Sequence, residues 1–207
     1  MLSVSAKKTY EPVPAGTHLA VCVGLYDIGT QRNEQYGKEN KQDVLVWELP
    51  EVRKDFEIDG VMKNMPQQIS KFYNRSLHEK ATLRKHLDAW RGRSFSHAEL
   101  ALFNLETIAG TSCFLSVVHK EKADGNVTDK VDSVAALPAG TAPAKPEGAV
   151  TIFTMEEGDA DIPAECPPWI AKIIAASREF QEGNQSTDSP APAAANTEEV
   201  EFDVIPF

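Results

Sequence analysis

The sequence lacks the residue patterns on which most enzymes depend. It contains no P-loop, no HExxH zinc motif, no CxxC pair and no GxSxG nucleophile turn. Its histidines are scattered singly, and no carboxylates are spaced as an acid–base pair or as metal ligands. We therefore predict a protein that is not an enzyme and that uses no cofactor and no metal.

Cysteines and long apolar runs are also scarce. Cys22, Cys113 and Cys166 are odd in number and far apart, which indicates neither a disulfide framework nor a zinc site. No apolar stretch reaches the roughly 18 residues of a membrane span. The first residues, MLSVSAKKTYEPVPAG, lack the apolar centre of a secretory signal. We therefore expect no membrane association and a cytoplasmic location.

Basic residues are nearly absent from the last third of the chain. Residues 1–138 carry 18 basic and 18 acidic side chains, whereas residues 139–207 carry 3 basic and 13 acidic ones. The whole net charge of −10 therefore lies in the C-terminal part. Because a charge-balanced body does not repel polyanions, nucleic acid remains a candidate partner.

Residue alternation predicts a mainly β body. Strands are expected at 17–27, at 43–50 up to Pro50, at 67–74 paired with 54–61, and at 111–120 paired with 126–138 across a turn. Hairpin-connected strands interrupted once by helices favour a small, partly open β-barrel of the OB type. An SH3-like barrel or a sandwich stays open on pattern alone.

Two capping boxes predict the inserted helical segment. Ser76 with Glu79 would begin a helix that ends at Gly92, and Ser96 with Glu99 would begin a shorter one. Near the C-terminus, Pro168 suits the first turn of another helix, with an apolar stripe behind it.

Composition then divides the chain into four parts. We predict an OB-fold domain over 1–138, a Pro/Ala/Gly-rich linker over 139–158 and a helix docked on the core within 159–183. The low hydrophobicity of 184–207 is typical of a disordered acidic tail.

A basic and aromatic stretch marks a candidate binding surface. Seven cations between Lys71 and Arg93 face only two carboxylates, and the stretch begins with Phe72 and Tyr73. Single-stranded nucleic acid is held by such cations and by rings on which bases stack. We expect Tyr73, which shares a strand face with Lys71, to face the groove, and the polar loop 28–42 to close over it. The predicted DNA contacts are Arg32, Tyr36, Lys38, Lys41, Trp47, Lys71, Tyr73, Arg75, Arg84, Arg91, Arg93 and Lys120.

Ordinary structural roles account for part of this pattern equally well. An amphipathic helix solvates its outer face with basic residues, which would explain Lys80, Arg84 and Lys85. Trp47 shares a strand face with Leu45 and Leu49, so burial in the core is an alternative to stacking on a base.

The chain ends with EFDVIPF, and this ending is similar to the acidic C-terminal tip of bacterial single-stranded DNA-binding proteins. The stretches VPAGTHLAVCVGLYDIGTQ, VLVWELPE, ISKFYNRSLHEKATLRKHLDAWRGR and CFLSVVHKEK resemble phage-encoded single-stranded DNA-binding proteins. The resemblance implies an OB fold that coats single-stranded DNA during phage replication, recombination and repair. It also implies that the tip recruits partner proteins through Asp203, Val204, Ile205, Pro206 and Phe207.

Three alternatives remain at this point. The same surface would serve a recombination mediator that anneals strands, and the tip alone would serve an adaptor that binds only proteins. The apolar residues of the tip alternate with acidic ones, so the tip could also fold back as an edge strand. Whether the chain forms a homo-oligomer is left open.

The acidic tail generates one prediction. If it competes with DNA phosphates for the basic surface, deleting residues 197–207 tightens the binding of a dT oligonucleotide at low salt, and the gain disappears at high salt. Fluorescence anisotropy with a labelled oligonucleotide measures both. An unchanged dissociation constant at low salt contradicts the competition.

Overall fold

The computed structural model describes residues 11–33, 37–58, 60–123, 125–155 and 161–186, and the chain is mainly β. In chain order the strands are β1 (Gly16–Asn33), β2 (Lys38–Ile58), β3 (Val61–Asn74), β4 (Ser112–Glu121), β5 (Val127–Ala135) and β6 (Thr151–Phe153). The helices are α1 (Thr82–Arg91), α2 (His97–Leu102), α3 (Pro168–Ala175) and α4 (Arg178–Ser186). None of the helices in these ranges is long and apolar enough to cross a membrane.

The strands form a single curled sheet in the order β3-β2-β1-β4-β5, all antiparallel, with β6 added parallel to β1. The sheet curls into a half-barrel, so that its two edge strands approach each other. Lys71 on β3 donates from Nζ to the carbonyl oxygen of Val131 on β5 across this seam, at 2.6 Å. The architecture is consistent with an OB-like fold, which confirms the predicted fold class.

The β1–β2 pair is buried on both faces. Its inner face contributes Cys22, Leu45 and Trp47 to the core of the barrel. Its outer face forms a second apolar cluster in which Val44 and Val46 pack with residues from β6 and α3. This explains why residues 43–49 are buried without a break, although a strand with one solvated face would alternate.

Helix α1 packs against the half-barrel at β3 and β5. Leu83, Leu87 and Trp90 face the core, and the indole nitrogen of Trp90 donates to the carbonyl oxygen of Ser112 at 2.9 Å. Gly92 ends the helix in the left-handed conformation, as the sequence predicts. Helix α1 therefore packs over the seam between β3 and β5 on one side.

Four local expectations are wrong. Residues 67–74 pair with 42–49 of β2 and not with 54–61, because 54–58 pair with 61–65 across the turn. Pro50 does not stop β2, because a register shift between Leu49 and Arg53 absorbs it and pairing with β3 resumes. The predicted loop 28–42 is largely a two-stranded ribbon, since β1 runs to Asn33 and β2 begins at Lys38. Helix α1 begins behind Ala81 with no side-chain cap, so only the Ser96–Glu99 capping box forms.

The segment after β5 is attached to the barrel, which the linker prediction did not anticipate. Ser112 donates from its hydroxyl to the carbonyl oxygen of Ala144 at 3.0 Å, and Glu48 accepts from the backbone nitrogen of Glu147 at 2.8 Å. Strand β6 then pairs with β1.

Two helices, α3 and α4, occupy the segment in which the sequence analysis expects one. Ile170 and Ile174 of α3 are fully buried in the outer cluster. On α4, Glu179 accepts from the backbone nitrogen of Thr30 at 2.7 Å, which joins the helix to the β1–β2 ribbon. Helix α4 extends to Ser186, and the rest of the predicted acidic tail lies outside the described residues.

Gly29 at this junction generates a prediction with a close control. Gly29 and Gly37 both have positive φ angles, 66° and 59°. A Cβ at Gly29 would lie 2.5 Å from Met155 and 2.8 Å from Ser177, whereas a Cβ at Gly37 meets nothing within 4 Å. Gly29→Ala should therefore lose about 1–3 kcal/mol more unfolding free energy than Gly37→Ala, because only the former adds overpacking to backbone strain.

Urea unfolding of the two variants measures this difference. Equal losses would show that the junction between α4 and the ribbon accommodates the added methyl group without a loss of unfolding free energy.

Candidate nucleic-acid interface

A groove of about 720 Å³ runs between β3 and the approach to α1, and we call it the β3–α1 groove. Its thirteen described lining residues include three lysines and no carboxylate. They are Asn40, Gln42, Lys71, Phe72, Tyr73, Asn74, Ser76, His78, Lys80, Ala81, Thr82, Leu83 and Lys130. The groove is therefore positive, with amide and hydroxyl groups between its cations.

The three lysines come from separate parts of the chain. Lys71 lies on β3, Lys80 precedes α1 and Lys130 lies on β5. Lys80 and Lys130 are exposed. Burial lowers the pKa of Lys71 below its ordinary value, the charge of Lys130 lowers it further, and Asp132 partly offsets both. Closure of the barrel brings these cations to one groove.

The groove-facing aromatic residue is Phe72, and the prediction of Tyr73 is corrected. Phe72 is 46% exposed, whereas Tyr73 is 2% exposed. The Tyr73 hydroxyl lies 2.8 Å from Nδ1 of His86. Burial and the charge of Lys71 lower the pKa of His86 to about 4, so this histidine is neutral at pH 7. Tyr73 and Lys71 do share a strand face, but that face points to the core and the seam.

Three of the predicted arginines stabilise the helical insertion. Arg84 binds Asp88 from Nε at 2.9 Å and donates to the carbonyl oxygen of Phe95 at 3.0 Å. The guanidinium of Arg91 is buried against the Phe95 ring and pairs with Glu99. Arg93 also binds Glu99, at 2.6 Å. None of the three lines the β3–α1 groove.

Arg75 neutralises two carboxylates that face each other across the β1–β2 pair. Asp27 and Asp43 are direct cross-strand neighbours and both are buried. Arg75 binds Asp27 at 2.9 Å and Asp43 through both Nε and Nη2. Burial raises the pKa of Asp43 above its ordinary value, although Arg75 partly offsets this. Arg75 is therefore an ion-pair partner inside the fold, and it is not a groove cation.

The remaining predicted contacts lie elsewhere. Trp47 is fully buried and packs on Trp90 and Tyr73, so it is a core residue. Four further cations are exposed but do not line the groove: Arg32, Lys38, Lys41 and Lys120. Tyr36 and the tip residues Asp203, Val204, Ile205, Pro206 and Phe207 lie outside the described residues.

A second cavity, of about 470 Å³, has the opposite electrostatic character. Arg75 is the one basic residue in its described lining, which also holds Asp27, Asp43 and Glu106. A polyanion would be repelled there. Within the described ranges, no group of three or more His, Cys, Asp and Glu residues is placed to hold a metal ion.

Sequence reasoning missed Phe72, Lys130 and the polar residues on β2 as groove residues. The alternation of β3 identifies two faces, but only the closure of the barrel decides which one is buried. Lys130 becomes a neighbour of Lys71 because β5 meets β3, and no local pattern indicates that pairing.

Comparison of the chain with known protein families, with curated proteins and with solved structures finds no match. A functional assignment therefore depends on the geometry of the fold and of the β3–α1 groove.

The buried ion pair at Arg75 generates a prediction about stability. Arg75→Met leaves Asp27 and Asp43 buried without their cation, so we expect a loss of about 3 kcal/mol in unfolding free energy at pH 7. The loss should shrink towards pH 5. A buried carboxyl with a raised folded-state pKa binds protons more tightly when folded, so stability rises as the pH falls.

Arg93→Met is the matched control, because Arg93 is 59% exposed and its partner Glu99 keeps a second ion pair with Arg91. Its loss should stay within about 1 kcal/mol at both pH values. Urea unfolding at pH 7 and pH 5 checks this. Equal losses for the two variants would contradict the structural role of Arg75.

Proposed function

We propose that this protein binds single-stranded DNA without sequence specificity through the β3–α1 groove and catalyses no reaction. The observation that carries the proposal is a groove with three lysines, an exposed phenylalanine and no carboxylate, next to β2 and β3 of an OB-like half-barrel. In OB folds this face, together with the adjoining loops, is the one that binds oligonucleotides.

The chemistry of the groove supports a single strand. Lysines neutralise phosphates and release the counterions that surround them. Phe72 offers a ring on which any base stacks, which is a sequence-tolerant interaction. The amides of Asn40, Gln42 and Asn74 add hydrogen-bonding groups without a fixed pattern for one base.

The C-terminal tip completes the proposed role. Its resemblance to bacterial tips supports recruitment of replication, recombination and repair proteins through residues 203–207, in a phage protein that acts in the bacterial cytoplasm. Burial of one phenylalanine contributes only about 1.5–3 kcal/mol, so each such contact would be weak and exchangeable. The acidic residues of the tip would steer it towards basic partners.

The number of groove lysines predicts the salt dependence of binding. Three neutralised phosphates give a slope of about −2 in a plot of log K against log salt concentration, since each contributes about −0.7 on a single strand. Lys80→Ala/Lys130→Ala should reduce the slope to about −0.7. Labelled dT oligonucleotides and fluorescence anisotropy measure both values.

Lys63→Ala/Lys145→Ala is the matched control, since both lysines are exposed and neither lines the groove. Its slope should equal that of the unmodified protein. If the two double variants behave alike, the groove is not the DNA site. If the unmodified protein shows no binding at low salt, the proposal fails and an adaptor that binds only proteins becomes the better interpretation.

A further inference from the structure

Two exposed aromatic rings meet where the first turn of α3 reaches β3. Trp169, at the beginning of α3, is 43% exposed, and Phe72 on β3 is 46% exposed. Their ring centroids are 6.0 Å apart and the ring planes are inclined by 52°. If these rings only stabilised the packing of the helix on the sheet, they would be buried. Here both rings keep nearly half of their surface in solvent, whereas Ile170, the next residue, is fully buried.

A second trough begins on the other side of this ring pair. It encloses about 350 Å³, and we call it the β3–α3 trough. Its described lining residues are Val46, Gln68, Ile69, Ser70, Thr128, Asp129, Pro167 and Trp169. Its one carboxylate, Asp129, accepts a hydrogen bond from the backbone nitrogen of Val13 at 2.8 Å.

The β3–α3 trough and the β3–α1 groove follow one another along the same two strands. The trough takes Gln68 and Ser70 from β3, and the groove takes Phe72 and Asn74. On β5, Asp129 lines the trough and the next residue, Lys130, lines the groove. Gln68, Ser70, Phe72 and Asn74 share one strand face, so the path along β3 is about 20 Å long. Phe72 lines the groove, Trp169 lines the trough, and the rings meet between them.

We propose that Phe72 and Trp169 together form a base-stacking platform and that the single-stranded DNA continues past it into the β3–α3 trough. The inference rests on the proposed function and extends it, because it makes the C-terminal helix part of the DNA site. Phosphates follow Lys71, Lys80 and Lys130 in the groove. Successive bases stack on Phe72 and then on Trp169.

The placement of the tryptophans makes the platform directly measurable. The chain has three tryptophans. Trp47 is fully buried and Trp90 is 4% exposed, so a base in solution reaches neither indole ring. Any quenching of tryptophan fluorescence by direct stacking of an unlabelled dT oligonucleotide must therefore come from Trp169.

Two substitutions at Trp169 separate the optical signal from the affinity. Trp169→Phe keeps a stacking ring, so the fluorescence quenching should disappear while the affinity for a labelled dT oligonucleotide changes less than about threefold. Trp169→Ala removes the ring and should weaken binding about 5- to 100-fold at low salt. Phe72→Ala should weaken it in the same range and leaves every buried residue of α3 in place.

Phe56→Ala is the matched control, because Phe56 is also an exposed phenylalanine, near the end of β2, but lines neither the groove nor the trough. Its affinity should stay within about twofold of the unmodified protein. Quenching that persists in Trp169→Phe, or an unchanged affinity in both Trp169→Ala and Phe72→Ala, overturns the platform. In either case the labelled oligonucleotide still binds, so the proposed function survives. If the unmodified protein does not bind the oligonucleotide, both proposals fail together.

Discussion

Burial of the β1–β2 pair on both faces is the constraint on which the rest of the structure depends. The inner face needs the barrel core around Trp47, and the outer face needs cover from β6 and α3. A five-stranded half-barrel alone would leave Val44, Val46 and their neighbours in water. Exposure of such a patch costs roughly 25 cal/mol for each square ångström of apolar surface. The segment after β5 is therefore part of the folded unit, and its docking also brings Trp169 next to Phe72.

Local patterns predicted the strands and the β4–β5 hairpin, but not the partner of residues 67–74, which pair with 42–49 instead of with 54–61. The alternation in β1, β3 and β4 was strong enough to locate these strands, and the turn signals identified the pairing of β4 with β5. The extension of β2 beyond Pro50 was not predictable, because a proline is compatible with a strand only where the pairing is irregular. The orientation of the two faces of β3 was also not predictable, since Lys71 donates to Val131 across the seam while it still lines the groove.

The sequence located a basic stretch but could not distinguish binding cations from structural ones. A cation that forms an ion pair with a neighbouring carboxylate is less available to bind phosphate. Arg75 pairs in this way with Asp27 and Asp43. Arg91 and Arg93 both pair with Glu99. Those pairings join residues that are distant in sequence or separated by turns. Lys80 lines the groove, and none of the described residues that line the groove is a carboxylate. The candidate site is thus smaller than the basic stretch, and it draws on β5 as well as on β3.

The contact of Glu179 with Thr30 has a mechanical consequence. Helix α4 is the last described element before the acidic end of the chain, and it is fastened to the ribbon by this contact and by the ion pair of Arg178 with Glu39 at 3.1 Å. A tension applied at the end of α4 would therefore load the ribbon contacts together with the outer cluster, in which Phe180 of α4 packs beside the isoleucines of α3. A pull on the end of the chain would thus strain the β1–β2 ribbon and the helix packing at the same time.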